Sequence, residues 1–172
     1  MSGSSVRRLV AAGALAGAAG TTALYTVTYL DQIARGRPSS GLPAQTARKL
    51  AGTVGVDFGE DERARSREEG AGALLGILVG VGLGVAYGLL GGIVQRVPAP
   101  VAGVGLGLVA TVAADAPMTL LGLTDPRTWG VGGWLSDLVP HVTYGLVTVY
   151  AFQMMAGERG GRRAGGGGRG PS

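Results

Sequence analysis

The chain has 172 residues, of which 46% are hydrophobic and only 15% are charged, and its net charge is +4. A soluble domain usually carries about 25% charged residues, so this composition excludes an ordinary soluble protein and indicates a membrane protein. The chain contains no cysteine, which excludes disulfides, thiol catalysis and cysteine ligands for metals.

The first apolar run follows Arg7 and Arg8 and covers residues 9–30. It is rich in alanine and glycine, and its length suits one crossing of a bilayer. The alternative is a secretory signal peptide, because small residues such as Ala16 and Ala18 resemble a cleavage site. The apolar run continues to Leu30 without a polar cleavage region, so we predict a membrane span.

Residues 31–69 form the longest polar stretch between apolar runs, and we expect this loop to be partly helical. Pro43 is suited to the first turn of a short amphipathic helix that lies at the lipid headgroups or against the bundle. The charged run 57–69 has helical pair spacing at Glu60–Arg63 and Asp61–Arg65, which predicts a solvated helical lead-in to the second span. Acids flank the arginines of this run, which argues against binding to nucleic acid.

The second span, residues 70–94, has no charged residue and is organised by a row of glycines. Glycines at four-residue spacing let another helix backbone approach closely, so the row predicts helix packing within the monomer or in a homo-oligomer. The alternative is that a glycine-rich composition produces the pattern without a packing role. The row consists of Gly72, Gly76, Gly80, Gly84, Gly88 and Gly92.

The third span, residues 101–123, carries a line of small residues that becomes polar towards its end. This line is the predicted partner surface for the glycine row. We expect Pro117 to interrupt the helix, because proline lacks the amide hydrogen that a helix needs. The line consists of Ala99, Gly103, Gly107, Thr111 and Asp115.

The fourth predicted span covers residues 134–155, after a connection in which Trp129 and the nearby Trp134 suit a membrane–water boundary. The remaining residues, 157–172, are rich in glycine and arginine, and we predict that this tail is disordered. Basic residues are divided almost evenly between the two sides of such a topology. We expect both termini in the cytoplasm, because the N-terminus and the tail contain few acids.

The last two predicted spans contain a candidate polar cluster, which consists of Asp115, Asp137, His141 and Tyr144. Asp115 and His141 lie at similar distances from the loop that joins their spans, so they can meet at one depth. Charged groups are costly inside a bilayer unless they are paired, and they often mark ion or proton pathways.

The functional interpretation of this polar cluster is a proton- or cation-handling site, which Thr21 or Thr111 could assist. The structural interpretation is a polar clasp that fixes helix register. In a third interpretation, Pro140 starts the last helix and Asp137 caps it near water. No metal-ligand spacing, catalytic triad or nucleotide-binding loop is present, so we predict no metal, no cofactor and no enzymatic activity.

The segment WLSDLVPHVTYG, residues 134–145, together with the TDPRTW loop before it and the glycine- and alanine-rich first span, resembles small four-span proteins of high-GC Gram-positive bacteria that carry no assigned function. The core of that resemblance is Pro140, His141, Tyr144 and Gly145. It implies a four-span architecture and supplies no activity.

The sequence therefore predicts an all-α polytopic membrane protein, a four-helix bundle of residues 1–156 with glycine-zipper packing. The preferred function is that of a non-enzymatic protein of the cell membrane, of unknown biochemical role, whose glycine row Gly72–Gly92 packs helices within the monomer or joins copies in a homo-oligomer. Its expected partner is the lipid bilayer. The alternative is a small transporter or channel subunit for protons or cations that uses Asp115 and His141.

Overall fold

The computed structural model describes residues 3–91 and 96–164, with side chains described through residue 156. Within these residues the fold is all-α and contains no strand. Gly92, the last member of the predicted row, lies outside the described residues. The described residues form five α-helices: α1 (Gly3–Arg35), α2 (Leu42–Thr53), α3 (Glu62–Leu89), α4 (Ala99–Leu120) and α5 (Val131–Ala164).

Three of these helices, α1, α3 and α4, are long and apolar enough to cross a membrane. The fourth predicted span corresponds to α5, whose described residues are less hydrophobic than those of the other three long helices. Asp137, His141 and Gln153 interrupt its hydrophobic run. The structure thus supports a membrane protein with three candidate spans, and a fourth crossing requires a separate argument.

The outer surfaces of the helices are apolar. Leu78 of α3, Val112 of α4 and Met154 of α5 are among the large hydrophobic side chains that remain mostly exposed. Soluble monomers seldom expose large contiguous apolar patches, whereas lipid covers such surfaces. The exposed surface therefore agrees with the composition in indicating a bilayer environment.

The long helices are arranged in the spatial order α3, α1, α5, α4. The first helix α1 packs extensively on both α3 and α5, and α5 packs equally extensively on α4. All three of these pairs are antiparallel. Contacts run from Gly13–Gly84 to Gly17–Gly80 between α1 and α3, from Gly20–Thr148 to Arg35–Ser136 between α1 and α5, and from Gly103–Leu146 to Gly107–Val142 between α4 and α5. By contrast, α3 and α4 have few contacts with each other, so a gap remains between these two outer helices.

Glycine makes the closest helix contacts, although the pairing differs from the prediction. The row on α3 meets α1, where an added Cβ at Gly84 would lie 2.7 Å from the Gly17 nitrogen. Gly103 and Gly107, the predicted partners of the row, instead face α5. The prediction was wrong because spacing shows that a helix has a small face without showing which other face it meets.

The remaining glycines of the row contact other elements of the same chain. Gly72 meets Pro43 of α2, Gly76 meets the Tyr25 hydroxyl, and Gly88 meets the Leu9 carbonyl. These contacts lie along the whole described length of the row. The core beside it is formed by fully buried side chains of α1 and α5: Ala16, Thr148, Val149 and Phe152.

The short helix α2 confirms the predicted helix after Pro43, and α3 includes the predicted charged lead-in from Glu62. The predicted ion pairs were wrong, because Glu60 and Asp61 precede the first turn of α3. Asp61 instead pairs with Arg67, and Arg65 pairs with Glu69. The helix α2 packs on α3, so of the two predicted positions it takes the one against the bundle.

Two further sequence predictions need correction. Pro117 does not interrupt its helix, because α4 continues to Leu120, and Pro140 does not start one, because α5 begins at Val131. The interpretation of Asp137 as an N-cap is therefore wrong. The helix α5 also continues to Ala164, into the tail predicted to be disordered, whereas residues 165–172 lie outside the described chain.

Candidate functional site

The polar side chains of the last two long helices lie near the end of the bundle that carries α2, which we call the α2 end. At this end, Trp129 Nε1 donates a hydrogen bond to Thr124 Oγ1 at 2.9 Å, and its ring lies 5.2 Å from that of Trp134. A short 3₁₀ turn, Pro126–Thr128, is fixed by the Asp125 side chain, which accepts from the Arg127 amide at 3.0 Å. This compact connection brings the end of α4 and the start of α5 side by side.

Asp137 and His141 form the centre of the site on α5. His141 Nδ1 lies 2.8 Å from the Asp137 carbonyl oxygen and 3.3 Å from Asp137 Oδ1. Both side chains are largely buried, with 14% of His141 and 18% of Asp137 exposed. The second carboxylate oxygen, Asp137 Oδ2, is buried and has no hydrogen-bond partner within the described chain. The site therefore contains a buried acceptor oxygen, Asp137 Oδ2, that could accept a hydrogen bond or bind a cation.

Asp115 approaches this pair from α4. Its carboxyl group lies within electrostatic reach of both Asp137 and His141, and the three side chains line one cavity. Two neighbouring carboxylates repel each other when both are ionised, so a proton or a cation between them stabilises the pair. The structure thus brings three of the four predicted polar residues, two carboxyl groups and one imidazole, to one region of the bundle.

Tyr144 lies one turn beyond His141 and connects the site to α3. Its hydroxyl donates to the Gly80 carbonyl oxygen at 2.7 Å, and only 1% of the residue is exposed. An added Cβ at Gly80 would collide with the Thr21 hydroxyl and would touch the Tyr144 ring at 3.5 Å. Tyr144 therefore belongs to the packing core, one helical turn from His141.

A cavity of about 1560 Å³ lies in front of these side chains. It occupies the α2 half of the bundle, where α1 and α5 form its back, α3 and α4 its sides, and α2 lies along one end. It does not reach the opposite half, because its lining stops at Leu83 of α3 and Thr21 of α1, where the glycine contacts bring the helices together. The polar residues that line it include Asp115, Asp137, His141 and Tyr144.

The two prolines add polar groups at the same level. Proline has no amide hydrogen, so Pro117 leaves the Ala113 carbonyl, and Pro140 the Ser136 carbonyl, without the usual helical donor. Ala113 and Ser136 both line the cavity. Carbonyls released in this way are suitable ligands for a proton donor or a cation.

The α2 end is held by ion pairs outside the cluster. Asp31 on α1 pairs with Arg35 at 2.9 Å and with Arg37 at 2.6 Å, and Arg35 also contacts the Ser136 hydroxyl on α5. Arg48 on α2 pairs with Glu68 on α3 at 3.0 Å. These contacts position the helix ends around the cavity while leaving the inner carboxyl groups to one another.

Sequence reasoning missed several residues of this region. Gly145 was recognised only as part of a motif, yet an added Cβ there would lie 2.9 Å from the Gly107 Cα. Tyr25 and Arg48 line the cavity and were not assigned to it. Gly145 follows His141 by four residues, and that spacing was the available signal that both lie on one face of α5.

The described residues contain no group of three or more histidine, cysteine, aspartate or glutamate side chains that could hold a metal ion. Thr111, which the sequence suggested as a helper, is buried and donates to the Gly107 carbonyl of its own helix at 3.2 Å. Thr21, the other suggested helper, does line the cavity. The chemistry available in the cavity is therefore that of carboxyl, imidazole and hydroxyl groups.

Comparison of the chain with models of protein families, with curated proteins and with solved structures found no match. The resemblance to small four-span proteins around Pro140, His141, Tyr144 and Gly145 therefore stays a prediction. The function must accordingly be argued from the geometry of the cavity.

The hydrogen bond from Tyr144 gives a first test of this geometry. Replacing Tyr144 by phenylalanine should lower the free energy of unfolding by about 1 kcal/mol, because a neutral buried hydrogen bond is lost. The measurement is unfolding of the purified protein in mixed micelles with increasing dodecyl sulfate. Tyr150→Phe is the matched control, since Tyr150 is 47% exposed. Equal losses in the two variants would contradict the assignment.

Proposed function

We propose that the chain is a small, non-enzymatic, multi-pass protein of the cell membrane that binds and transfers a proton or a cation at Asp115, Asp137 and His141. The observation that carries the proposal is the position of these side chains. Two carboxyl groups and an imidazole from adjacent helices meet at the wall of a cavity in the α2 half of the bundle.

The cavity is the reason for preferring this function to that of a polar clasp. A clasp requires only that the polar groups satisfy one another, and such groups would normally be enclosed by packed side chains. Here the cluster borders open volume, and Asp137 Oδ2 lacks a partner among the described residues. Polar groups arranged in this way are better suited to exchange a bound ion with the cavity than to fix the register of two helices.

The proposal includes a fourth crossing of the membrane by α5. This helix runs antiparallel to α1 and α4 and packs on both, while Leu135, Val139 and Met154 remain exposed. Its polar groups face the interior, as ionisable residues of membrane helices usually do. The first residues of α1 and the last residues of α5 lie at the end of the bundle opposite α2. We place that end in the cytoplasm, because the N-terminus and the tail contain few acids, and the α2 end on the outer side.

The glycine row contributes packing, and we propose that it acts as a glycine zipper between α3 and α1. Its described members are occupied by contacts within one chain, from Gly72 against α2 to Gly88 against α1. A second copy could reach them only after these contacts had separated. For this reason we assign the row to the monomer and not to a homo-oligomer.

The proposed chemistry uses only groups of this chain. A proton held by the Asp115 and Asp137 carboxyl pair is released when a cation takes its place, and His141 Nδ1, which donates to the Asp137 carbonyl oxygen, keeps the imidazole beside the pair. The released proton leaves through the polar α2 end of the cavity. The close contact of α1 with α3 at Gly84 blocks a continuous water path, so transfer to the other side requires a change in helix packing.

The test is ion flux in liposomes that contain the purified protein and a trapped pH-sensitive dye. With a potassium diffusion potential, wild-type protein should carry protons faster than protein-free liposomes. Asp115→Asn should reduce the rate by about tenfold or more, since loss of one essential charged group costs at least about 1.4 kcal/mol. Sodium and potassium flux are measured in the same preparations.

Asp57→Asn is the control for this experiment. It makes the same chemical change in a loop outside the cavity, where the side chain accepts only from the Gly59 amide at 2.9 Å. We expect it to match the wild-type rate. If no preparation carries protons, sodium or potassium faster than empty liposomes, the proposed function is wrong, and equal rates for Asp115→Asn and wild type would exclude this site.

A further inference from the structure

The size of the cavity points beyond a bare ion. Its volume of about 1560 Å³ is far more than a proton or a metal ion needs, and the cavity is partly open between α3 and α4. We infer that the site takes an organic cation with a bulky apolar body, such as a quaternary ammonium or phosphonium compound. This inference rests on the proposed function and names the substrate class of the same site.

The distribution of charge favours a cation. Acidic side chains near the α2 end are neutralised by arginine, in the pairs Arg48–Glu68 and Arg65–Glu69. Deeper in the cavity, Asp115 and Asp137 face each other, and His141 is the basic group beside them. The inner wall therefore carries two carboxyl groups and, among the described residues, no lysine or arginine, whereas Glu68 and Glu69 near α2 are each paired with an arginine. A cation that lost its hydration shell would be compensated only at the inner position.

The walls around the carboxyl groups suit an apolar body. Leu24 of α1, Leu75 of α3 and Met118 of α4 line the same cavity. Aromatic rings also line it: Tyr25 and Tyr29 stack at 6.0 Å, and Tyr144 belongs to the same wall. Rings of this kind attract quaternary cations through the electron density of their faces. Hydrophobic walls, aromatic rings and a buried negative charge together define a lipophilic cation as ligand.

The gap between α3 and α4 supplies a route of entry from lipid. These two helices form opposite sides of the cavity and hardly contact each other. The helix α2 lies at one end and is tied to α4 by a hydrogen bond from Lys49 Nζ to the Leu121 carbonyl at 2.6 Å. A compound dissolved in the bilayer can therefore reach Asp115 from the side without crossing the paired charges near α2.

The test is binding of tetraphenylphosphonium to the purified protein in lipid nanodiscs, measured by equilibrium dialysis against empty nanodiscs. We expect saturable binding of one cation per chain. Triphenylphosphine oxide has a similar apolar body without charge, and tetramethylammonium has the charge without the body. Each should bind at least about tenfold more weakly, because each lacks one of the two recognition elements.

Two variants separate the elements of the site. Asp115→Asn should weaken tetraphenylphosphonium binding by about tenfold or more through loss of charge. Ala114→Phe should weaken it by filling the cavity, since Ala114 lines it. Val109→Phe is the matched control, because Val109 lies on the same helix and is 53% exposed on the outer face. It should bind like wild type.

The comparison of three ligands on wild-type protein does not depend on whether the variants fold. If tetraphenylphosphonium binds no better than triphenylphosphine oxide, or if the Ala114 and Val109 variants bind alike, the inference is overturned. Proton flux without binding of the cation would reject the substrate class and retain the proposed function. Absence of both flux and binding would remove both.

Discussion

Replacing Gly84 by leucine is expected to prevent the bundle from assembling. An added Cβ at Gly84 would lie 2.7 Å from the Gly17 nitrogen and would also meet the Gly13 carbonyl, so the obstacle is backbone on the facing helix. Backbone cannot rotate away as a side chain can, and α1 and α3 would have to separate. We expect a loss of about 3 kcal/mol or more in the free energy of unfolding.

The measurement is unfolding in dodecyl sulfate, together with the yield of monodisperse protein after size-exclusion chromatography in mild detergent. Gly82→Leu is the matched control, because it introduces the same side chain two residues away, where an added Cβ has no atom within 4 Å. Its stability should change by less than about 0.5 kcal/mol. Similar behaviour of the two variants would show that α3 does not pack on α1 through this face.

The second large effect is expected from Gly107→Leu on α4. An added Cβ at Gly107 would lie 2.7 Å from the Val142 Cα and 2.8 Å from the His141 carbonyl oxygen. Leucine there should force α4 away from α5 and lower the free energy of unfolding by about 2–3 kcal/mol. It should also separate Asp115 from Asp137 and His141, so flux in liposomes should fall towards the protein-free rate.

Gly105→Leu tests whether these effects come from the interface. Gly105 is in the same helix, and an added Cβ there has no atom within 4 Å. We expect wild-type unfolding and wild-type flux for this variant. If Gly107→Leu unfolds like wild type but carries no protons, the role of Gly107 is in the site and not in packing. If both variants behave like wild type, the α4–α5 contact described here is wrong.

Much of the fold could be predicted because hydrophobic length is a local property. Runs of apolar residues identified α1, α3 and α4, and Pro43 identified the start of α2. Hydrophobicity alone does not identify α5 as a span, because this helix contains polar residues. Those residues are buried by contacts with other helices, and such contacts cannot be read from the sequence. Helix ends were less accurate: α1 continues beyond Leu30 to Arg35, and α5 begins before Trp134.

Helix pairing could not be predicted from the same information. Both α3 and α4 carry glycines at four-residue spacing, and the sequence favoured joining these two faces. In the structure each face meets a different inner helix, α1 or α5. The choice depends on complementary shape along two helices, which includes the large side chains Tyr144 and Phe152 between the glycines. A periodic pattern on one helix does not contain that information.

The site was partly predictable for a geometric reason. Asp115 and His141 lie at similar distances from one short connection, and helices joined in this way place such residues at one depth. The cavity was not predictable, because it depends on the absence of contact between α3 and α4 and on the docking of α2. Both depend on how all the helices pack together, and no short segment of the sequence indicates them.

The two inner helices, α1 and α5, are the first and the last of the described chain to be synthesised. During translation α1 enters the bilayer before both helices that it contacts. Its glycine-lined side can pack on α3 once α3 is inserted, whereas the side around Ala16 and Gly20 stays uncovered until α5 is made. The face of α4 around Gly107 also stays uncovered until then. Insertion of α5 thus completes the bundle. If translation stops before Val131, the faces of α1 and α4 that normally contact α5 remain exposed to lipid.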